Sequence, residues 1–270
     1  MKLCRFQPRE FASRHPGQTP YEAFAHSLAG ILDAGVVHEI SGELWGQRQT
    51  TGRHWQVGDV IFLPPSWPSK IICMAKNYAD HAAEMQSDTP ERPIIFSKPP
   101  SSIIAPEDPI VFPRISKRVD YEGELALVMG RRCFHPLPDE DVRKYIAGYT
   151  CLNDVTARDL QRLDGQYTRG KGFDTFCPFG PLLETEPPAP SALVETYVNG
   201  ERKQSAPISD MVFPIDTIVR WIAEAMTLEP GDVVATGTPA GIGPLAVGDV
   251  VEVRISGVGS LRNPLVPARD

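Results

Sequence analysis

The sequence predicts an α+β protein that is mainly β, with short strands forming the frame and a few helices laid on it. Two observations carry this. The 27 prolines and 22 glycines are spread along all 270 residues and repeatedly punctuate short apolar, β-branched runs, the pattern of strands joined by tight turns. Helical periodicity, by contrast, is confined to a handful of stretches.

In chain order, the first helical pattern runs from Tyr21 to Ala34. VGDVIFLPP (57–65) and SKIICMA (69–75) then read as strands, and Tyr78 to Met85 as a helix. ERPIIFSKPP (91–100) and PIVFP (109–113) are further strands bounded by proline. Val119 to Gly130 alternates as a strand, Asp139 to Ile146 reads as a helix, and an apolar strand around Cys151 leads into a helical stretch from Thr156 to Arg162. From Pro214 to Met226, residues Ile215, Ile218, Val219, Ile222 and Met226 fall on one face of a helix. LEPGDVVATGTP (228–239) and LAVGDVVEVRISGVGSLRNPL (245–265) each contain a G-D-V-V turn and strand, a local echo and not a solenoid repeat. The pair Pro64-Pro65 marks a boundary, so the expected organisation is a small N-terminal domain (1–65) and a larger β-rich catalytic domain (66–270).

Composition narrows the function. Apolar residues at 41% and charged residues at 23% are ordinary globular usage, which excludes disorder and fibrous repeats. A net charge of -7 with scattered Lys and Arg leaves no basic footprint for nucleic acid. Five widely spaced cysteines without a C-x-x-C pair argue against a disulfide framework and against a zinc knuckle. MKLCRFQPREF has no apolar core of a signal peptide, and no run approaches the ~20 apolar residues of a spanning helix. The expectation is a cytoplasmic protein that does not enter the membrane.

Several segments carry chemistry. In Val119-Asp120-Tyr121-Glu122-Gly123-Glu124-Leu125-Ala126-Leu127-Val128, strand alternation puts Glu122 and Glu124 on the face of Ala126 and Val128. Two carboxylates on an apolar side repel each other unless a cation lies between them, and hard oxygen ligands favour magnesium, manganese or calcium. A solvated strand face is the alternative. Asp154 stands where a strand runs into a helix, a place for a third ligand or equally for a helix cap. Arg158 and Gln161, at i and i+3, either grip a substrate carboxylate or form exposed helix surface. His81 and Glu84 have the same spacing, and a carboxylate beside an imidazole orients it and raises its basicity; an ordinary surface pair is the alternative. Neither H-E-x-x-H nor H-x-x-E-H is present, so a metalloprotease is excluded. Lys171 lies between two glycines, either where backbone approaches a ligand or in a surface turn, and the phosphate-loop spacing is missing. Ala235 to Pro244 is a glycine-rich turn whose amides and hydroxyls suit an anion or simply a tight bend.

Taken in order, N-Y-x-x-H-x-x-E-M, Y-E-x-E-L, N-D-x-T-A-R-D-x-Q, G-K-x-F-D-T-F and T-G-T-P-x-G-[IV]-G resemble the fumarylacetoacetate hydrolase superfamily from about Ile71 onward. The resemblance implies a mixed β-roll catalytic domain, with Mg2+ or Mn2+ (Ca2+ as a substitute) held by Glu122, Glu124 and Asp154. It makes Lys171 the active-site lysine, Thr238 a substrate-contacting threonine, and Arg158 and Gln161 the polar pair beside the metal. His81 and Glu84 resemble the catalytic dyad of the branch containing acylpyruvases, oxaloacetate decarboxylases and 2-hydroxyhepta-2,4-diene-1,7-dioate isomerases. The implied activity is metal-dependent cleavage of a carbon-carbon bond in acylpyruvate-type acids, with oxaloacetate decarboxylation as a companion. Isomerisation of 2-hydroxydienedioates and hydrolysis of 2,4-dioxo-3-deoxy sugar acids are the enzymatic alternatives, and a metal-stabilised binding protein the non-enzymatic one. The implied partners are a small 2-oxo acid and a second copy of the chain.

Overall fold

A computed structural model describes residues 1–10 and 19–268. Its main body is a large sheet in which neighbouring strands run, in spatial order, Arg48–Gln56, Val36–Gly42, Leu28–Asp33, Lys2–Pro8, Cys177–Glu184, Ile146–Asn153, Gly123–Met129, Val233–Ala235, Ile71–Ala75 and Ile94–Lys98. These pairings are antiparallel except the one between Val233–Ala235 and Ile71–Ala75. A five-stranded sheet, Glu201–Pro207, Leu193–Val198, Val250–Ile255, Gly259–Pro267 and Ile110–Phe112, packs against it. The mainly β expectation is borne out, and both G-D-V-V units lead into strands.

The strand Gly123–Met129 is buried on both faces. Leu125, Leu127 and Met129 join a core with Val194, Val253 and Ile255 of the second sheet and with Ile218, Val219 and Ile222 of helix Ile215–Ala225. Ala126 and Val128 enter the opposite core with Cys73, Phe179 and Ala235. This alternation assigns Glu122 and Glu124, by parity, to the second side. A carboxylate there lies against an apolar core unless something else is present to meet it.

Lys2–Pro8 bonds Cys177–Glu184 in register Lys2 with Glu184, so the N-terminal strands extend the same large sheet. They also have a core of their own, in which Cys4, Phe6, Val37 and Val60 meet Trp55 and Phe62.

Two helical expectations are corrected. The pattern from Tyr21 to Ala34 holds a helix only over Pro20–Ala25, and the remainder is the strand Leu28–Asp33. Its apolar residues also satisfy strand pairing on both edges, and a Cβ at Gly30 would lie 2.8 Å from Val37, so close strand packing wins over helical spacing. Asp139 to Ile146 yields only the 3-10 turn Val142–Tyr145, because Ile146 pairs with Met129 as the first residue of a central strand. No helix among the described residues is long and apolar enough to cross a membrane.

All five cysteines are buried and free. Burial pushes the thiols of Cys4, Cys151 and Cys177 up to about 12, and that of Cys73 well above its usual range. Thiolate is the reacting species. The native protein is therefore expected to resist alkylation by iodoacetamide at mildly alkaline pH, and to label at every cysteine once denatured. Mass spectrometry showing stoichiometric modification of the native protein would contradict this burial.

Candidate active site

The buried carboxylates converge because two short motifs are stitched together. The strand pattern breaks at Glu122, between Val119–Tyr121 and Gly123–Met129. There the Glu122 amide donates to Asn153 Oδ1 at 3.0 Å, and the Glu122 carbonyl accepts from the Asp154 amide at 2.8 Å. The Asn-Asp pair thus clamps the Glu122 backbone and brings Asp154 alongside. Oxygens of Glu122, Glu124 and Asp154 all lie within 4.8 Å of one another, and all three residues are buried. Asp154 is not a helix cap: the following helix, Arg158–Asp164, is preceded by Ala157 and has no side-chain cap.

Three buried cations surround this cluster. Lys171 ends the short helix Tyr167–Lys171, and its Nζ lies 2.8 Å from Glu122 Oε2, 2.5 Å from Asp154 Oδ2 and 4.9 Å from the centre of the Phe96 ring. Lys98 Nζ donates to Asp154 Oδ1 at 2.6 Å and to the Val155 carbonyl at 3.1 Å. Arg158 donates through Nε to Asp120 Oδ2 at 2.9 Å, through Nη1 to Gln161 Oε1 at 2.6 Å, and through Nη2 to Glu122 Oε1. Its charge is thus engaged by protein carboxylates, while it turns Gln161 so that the amide nitrogen is left for the pocket.

The electrostatics divide the carboxylates. Burial would raise the Glu122 pKa, but Lys171, Arg158 and His81 outweigh it and hold the group well below the usual carboxylate range. Burial would lower the Lys171 pKa, yet Asp154 and Glu122 raise it above that of an ordinary lysine. Glu124 goes the other way: burial, then the charges of Asp154 and Glu122, push it well above a normal carboxyl. Its one hydrogen-bond donor among the described residues is the Gly237 amide at 2.8 Å, and no described Lys, Arg or His pairs with it. An all-oxygen donor set with one uncompensated buried carboxylate fits a hard divalent cation, whose charge would let Glu124 ionise.

The dyad residues stand at the same cavity. Asn77 is fully buried, takes the Phe213 amide on Oδ1 and donates through Nδ2 to the carbonyls of Thr236 and Phe213. This fixes the start of helix Ala79–Glu84, which carries His81 and Glu84. His81 Nδ1 lies 3.4 Å from Glu84 Oε2, and Glu84 accepts the Gly241 amide at 3.2 Å. The amides of the glycine-rich turn therefore meet carboxyl groups, those of the protein's own Glu124 and Glu84. Its conformation demands glycine: Gly237 has φ +99°, and a Cβ there would lie 2.7 Å from that of Asn77. Thr238 Oγ1 donates to the Gly123 carbonyl and accepts from Gln204 Nε2. A cavity of about 70 Å³ is walled in part by His81, Glu122, Glu124, Gln161, Lys171 and Thr238. Asp154 and Glu84 reach it through their hydrogen bonds to these walls.

Among known proteins, the fumarylacetoacetate (FAA) hydrolase C-terminal family matches residues 70–266. The chain belongs to that family. Residues 1–65 match a second profile, Rv2993c-like, N-terminal. Oxaloacetate tautomerase YisK of Bacillus subtilis is 42% identical over 76% of this chain and 72% of its own length. The crystal structure of 5-carboxymethyl-2-hydroxymuconate delta-isomerase from Mycobacterium smegmatis superposes with a TM-score of 0.86 at 39% identity, over 99% of this chain and all 100% of that one. That of 2-hydroxyhepta-2,4-diene-1,7-dioate isomerase from Mycobacterium marinum gives 0.85 at 39% identity, covering 100% of both.

Within this fumarylacetoacetate hydrolase fold, sequence reasoning missed Lys98, Asp120, Phe96 and Gln204. Asp120 was accessible in principle, since it shares strand parity with Glu122 and Glu124. Lys98 sits at the end of strand Ile94–Lys98 and is 1% exposed, so its charge has to be met, and Asp154 meets it. Lys98→Met is expected to leave that side of Asp154 uncompensated and cost about 3 kcal/mol, the lower end for breaking a buried pair because Lys171 remains. Thermal unfolding should show this as a Tm lower by roughly 6–12 °C; an unchanged Tm would mean that the pair contributes nothing net.

Proposed function

We propose that this chain is a divalent-metal-dependent enzyme acting on a small 2-oxo acid. Its central step is proton transfer at the carbon beside the 2-oxo group, so tautomerisation or isomerisation is the principal reaction. The observation that carries this reading is one cavity holding a carboxylate-steered imidazole, a buried carboxylate triad and a buried ammonium. The tautomerase and isomerases named among its relatives point the same way.

Glu122, Glu124 and Asp154 would hold Mg2+ or Mn2+. Bound there, the ion supplies Lewis-acid charge to the carboxylate and 2-oxo oxygens of the substrate. The chain's own residues do the rest. Gln161, its carbonyl engaged by Arg158, offers its amide N–H groups to the substrate carboxylate. Thr238, held by Gln204, shapes the wall beside it. His81, with Nδ1 turned to Glu84, has Nε2 left to take a proton from C3. The C–H electrons become the C2–C3 double bond, the 2-oxo oxygen takes the negative charge, and the Lys171 ammonium stabilises it. Return of the proton to that oxygen gives the enol; return to a distant carbon of a conjugated dienoate gives the isomer.

The hydrolytic reading uses the same residues and is favoured by the dyad's geometry, because an imidazole steered by a carboxylate is suited to drawing a proton from water. Attack of that water on the distal carbonyl of an acylpyruvate, followed by carbon-carbon cleavage, would deliver the electron pair to the same sink. Turnover of metal-stripped protein, with and without added magnesium or manganese, separates these readings on oxaloacetate, acylpyruvates and 2-hydroxydienedioates. Metal-restored enol formation or double-bond movement without fragmentation supports the proposal, and cleavage to pyruvate selects the hydrolase. Binding without turnover of any of them would indicate a ligand-binding role.

A further inference from the structure

The charged residues around the cavity are almost all satisfied by one another. Lys98 is paired with Asp154, Lys171 with Asp154 and Glu122, and Arg158 with Asp120 and Glu122. One cation in the wall, Lys76, is different. It lines the same cavity as His81, Glu124 and Lys171, is half-buried, and forms no ion pair or hydrogen bond through its side chain with any described residue. Its backbone is also unusual: φ is +55°, a left-handed conformation that costs a lysine free energy. The next residue, Asn77, is anchored by its three side-chain hydrogen bonds and by its carbonyl, which accepts the Val212 amide at 2.8 Å. A strained residue held at a cavity wall by its neighbour, with an unspent charge, calls for a ligand that meets the charge.

We infer that Lys76 is a specificity-determining residue that receives the distal carboxylate of a dicarboxylic 2-oxo acid. This rests on the reading under Proposed function, in which the 2-oxo acid end lies at the triad, Gln161 and Lys171. The distal carboxylate then needs a donor that no acidic side chain already holds, and Lys76 meets that requirement. Its ammonium is a compact point charge suited to a carboxylate approaching from a variable angle. A monocarboxylate of equal length would gain nothing from it.

The test is calorimetric binding to magnesium-loaded protein of matched pairs differing only in the distal group: oxaloacetate against 2-oxobutyrate, and 2-oxoglutarate against 2-oxovalerate. The wild type should bind the dicarboxylate of at least one pair tighter by about tenfold or more, the scale of one charge-assisted contact. Lys76→Asn removes the charge and keeps a residue that tolerates the left-handed conformation. It should abolish that preference while leaving monocarboxylate affinity unchanged and Tm no lower than wild type, and Lys76→Arg should retain the preference. A dicarboxylate preference undiminished in Lys76→Asn overturns the assignment of Lys76 alone, as does a wild type that binds both members of each pair equally. A wild type that binds none of the four acids overturns this inference and the 2-oxo acid reading beneath it.

Discussion

Replacing His81 by alanine is expected to lower turnover of the best 2-oxo acid substrate by about 10²–10⁴-fold, the usual contribution of a positioned general base. The loss should fall on kcat, because His81 is assigned the transfer of a proton and not the binding of the carboxylate. Divalent-cation binding should persist, since the oxygens of Glu122, Glu124 and Asp154 cluster without any imidazole ligand. Cation titration by calorimetry, run beside steady-state kinetics, checks both halves. Glu84→Gln should be milder, because the amide can still accept the Gly241 N–H and face Nδ1, but it no longer carries the charge that steadies a protonated imidazole. Full turnover by His81→Ala on every active substrate would remove the dyad from the mechanism.

How much of this site was legible in the sequence depends on the range of the interaction involved. Strand parity is a local property, and it placed Glu122 and Glu124 together on the side shared with Ala126 and Val128. The i,i+3 relations of His81 with Glu84 and of Arg158 with Gln161 are local too, and both pairs meet in space. What spacing could not reveal is which distant residue neutralises which. Lys98 finds Asp154 across 56 positions, and Arg158 finds Asp120 and Glu122 across 38 and 36. Those pairings hold the Arg158 guanidinium, which still lines the cavity, against Asp120, Glu122 and Gln161, and they leave Lys76 as the unspent charge. The error over Tyr21–Ala34 has the same origin. Leu28, Ile31 and Leu32 satisfy a helical period and a strand equally well, and only the flanking strands Lys2–Pro8 and Val36–Gly42 decide between them.

Glu124→Gln is expected to have opposite effects on the metal-free and the metal-loaded protein. In wild type, saturating magnesium or manganese at about 100 times its Kd should add about 2.7 kcal/mol of stability, roughly 5–11 °C in Tm, if only the folded state binds it. The variant loses a carboxylate ligand, so it should lose most of that rise and the metal-dependent turnover with it. Without metal the order reverses. Glu124 has a folded-state pKa above its unfolded one, so between those two values the folded state binds more protons and stability falls as pH rises. A glutamine cannot ionise and escapes this loss, so the metal-free variant should melt higher than metal-free wild type at neutral pH. Glu122 acts in the other sense: its folded pKa is depressed, so its contribution is present above the unfolded value and disappears as pH falls toward the folded one. Acid unfolding should therefore remain in Glu124→Gln, while the neutral-pH deficit of the metal-free protein disappears. Melting curves of both proteins across pH, with and without the cation, read all of these effects. A variant that melts lower than wild type without metal, or that keeps the full cation-induced rise, would show that Glu124 is not the carboxylate whose charge waits on a cation.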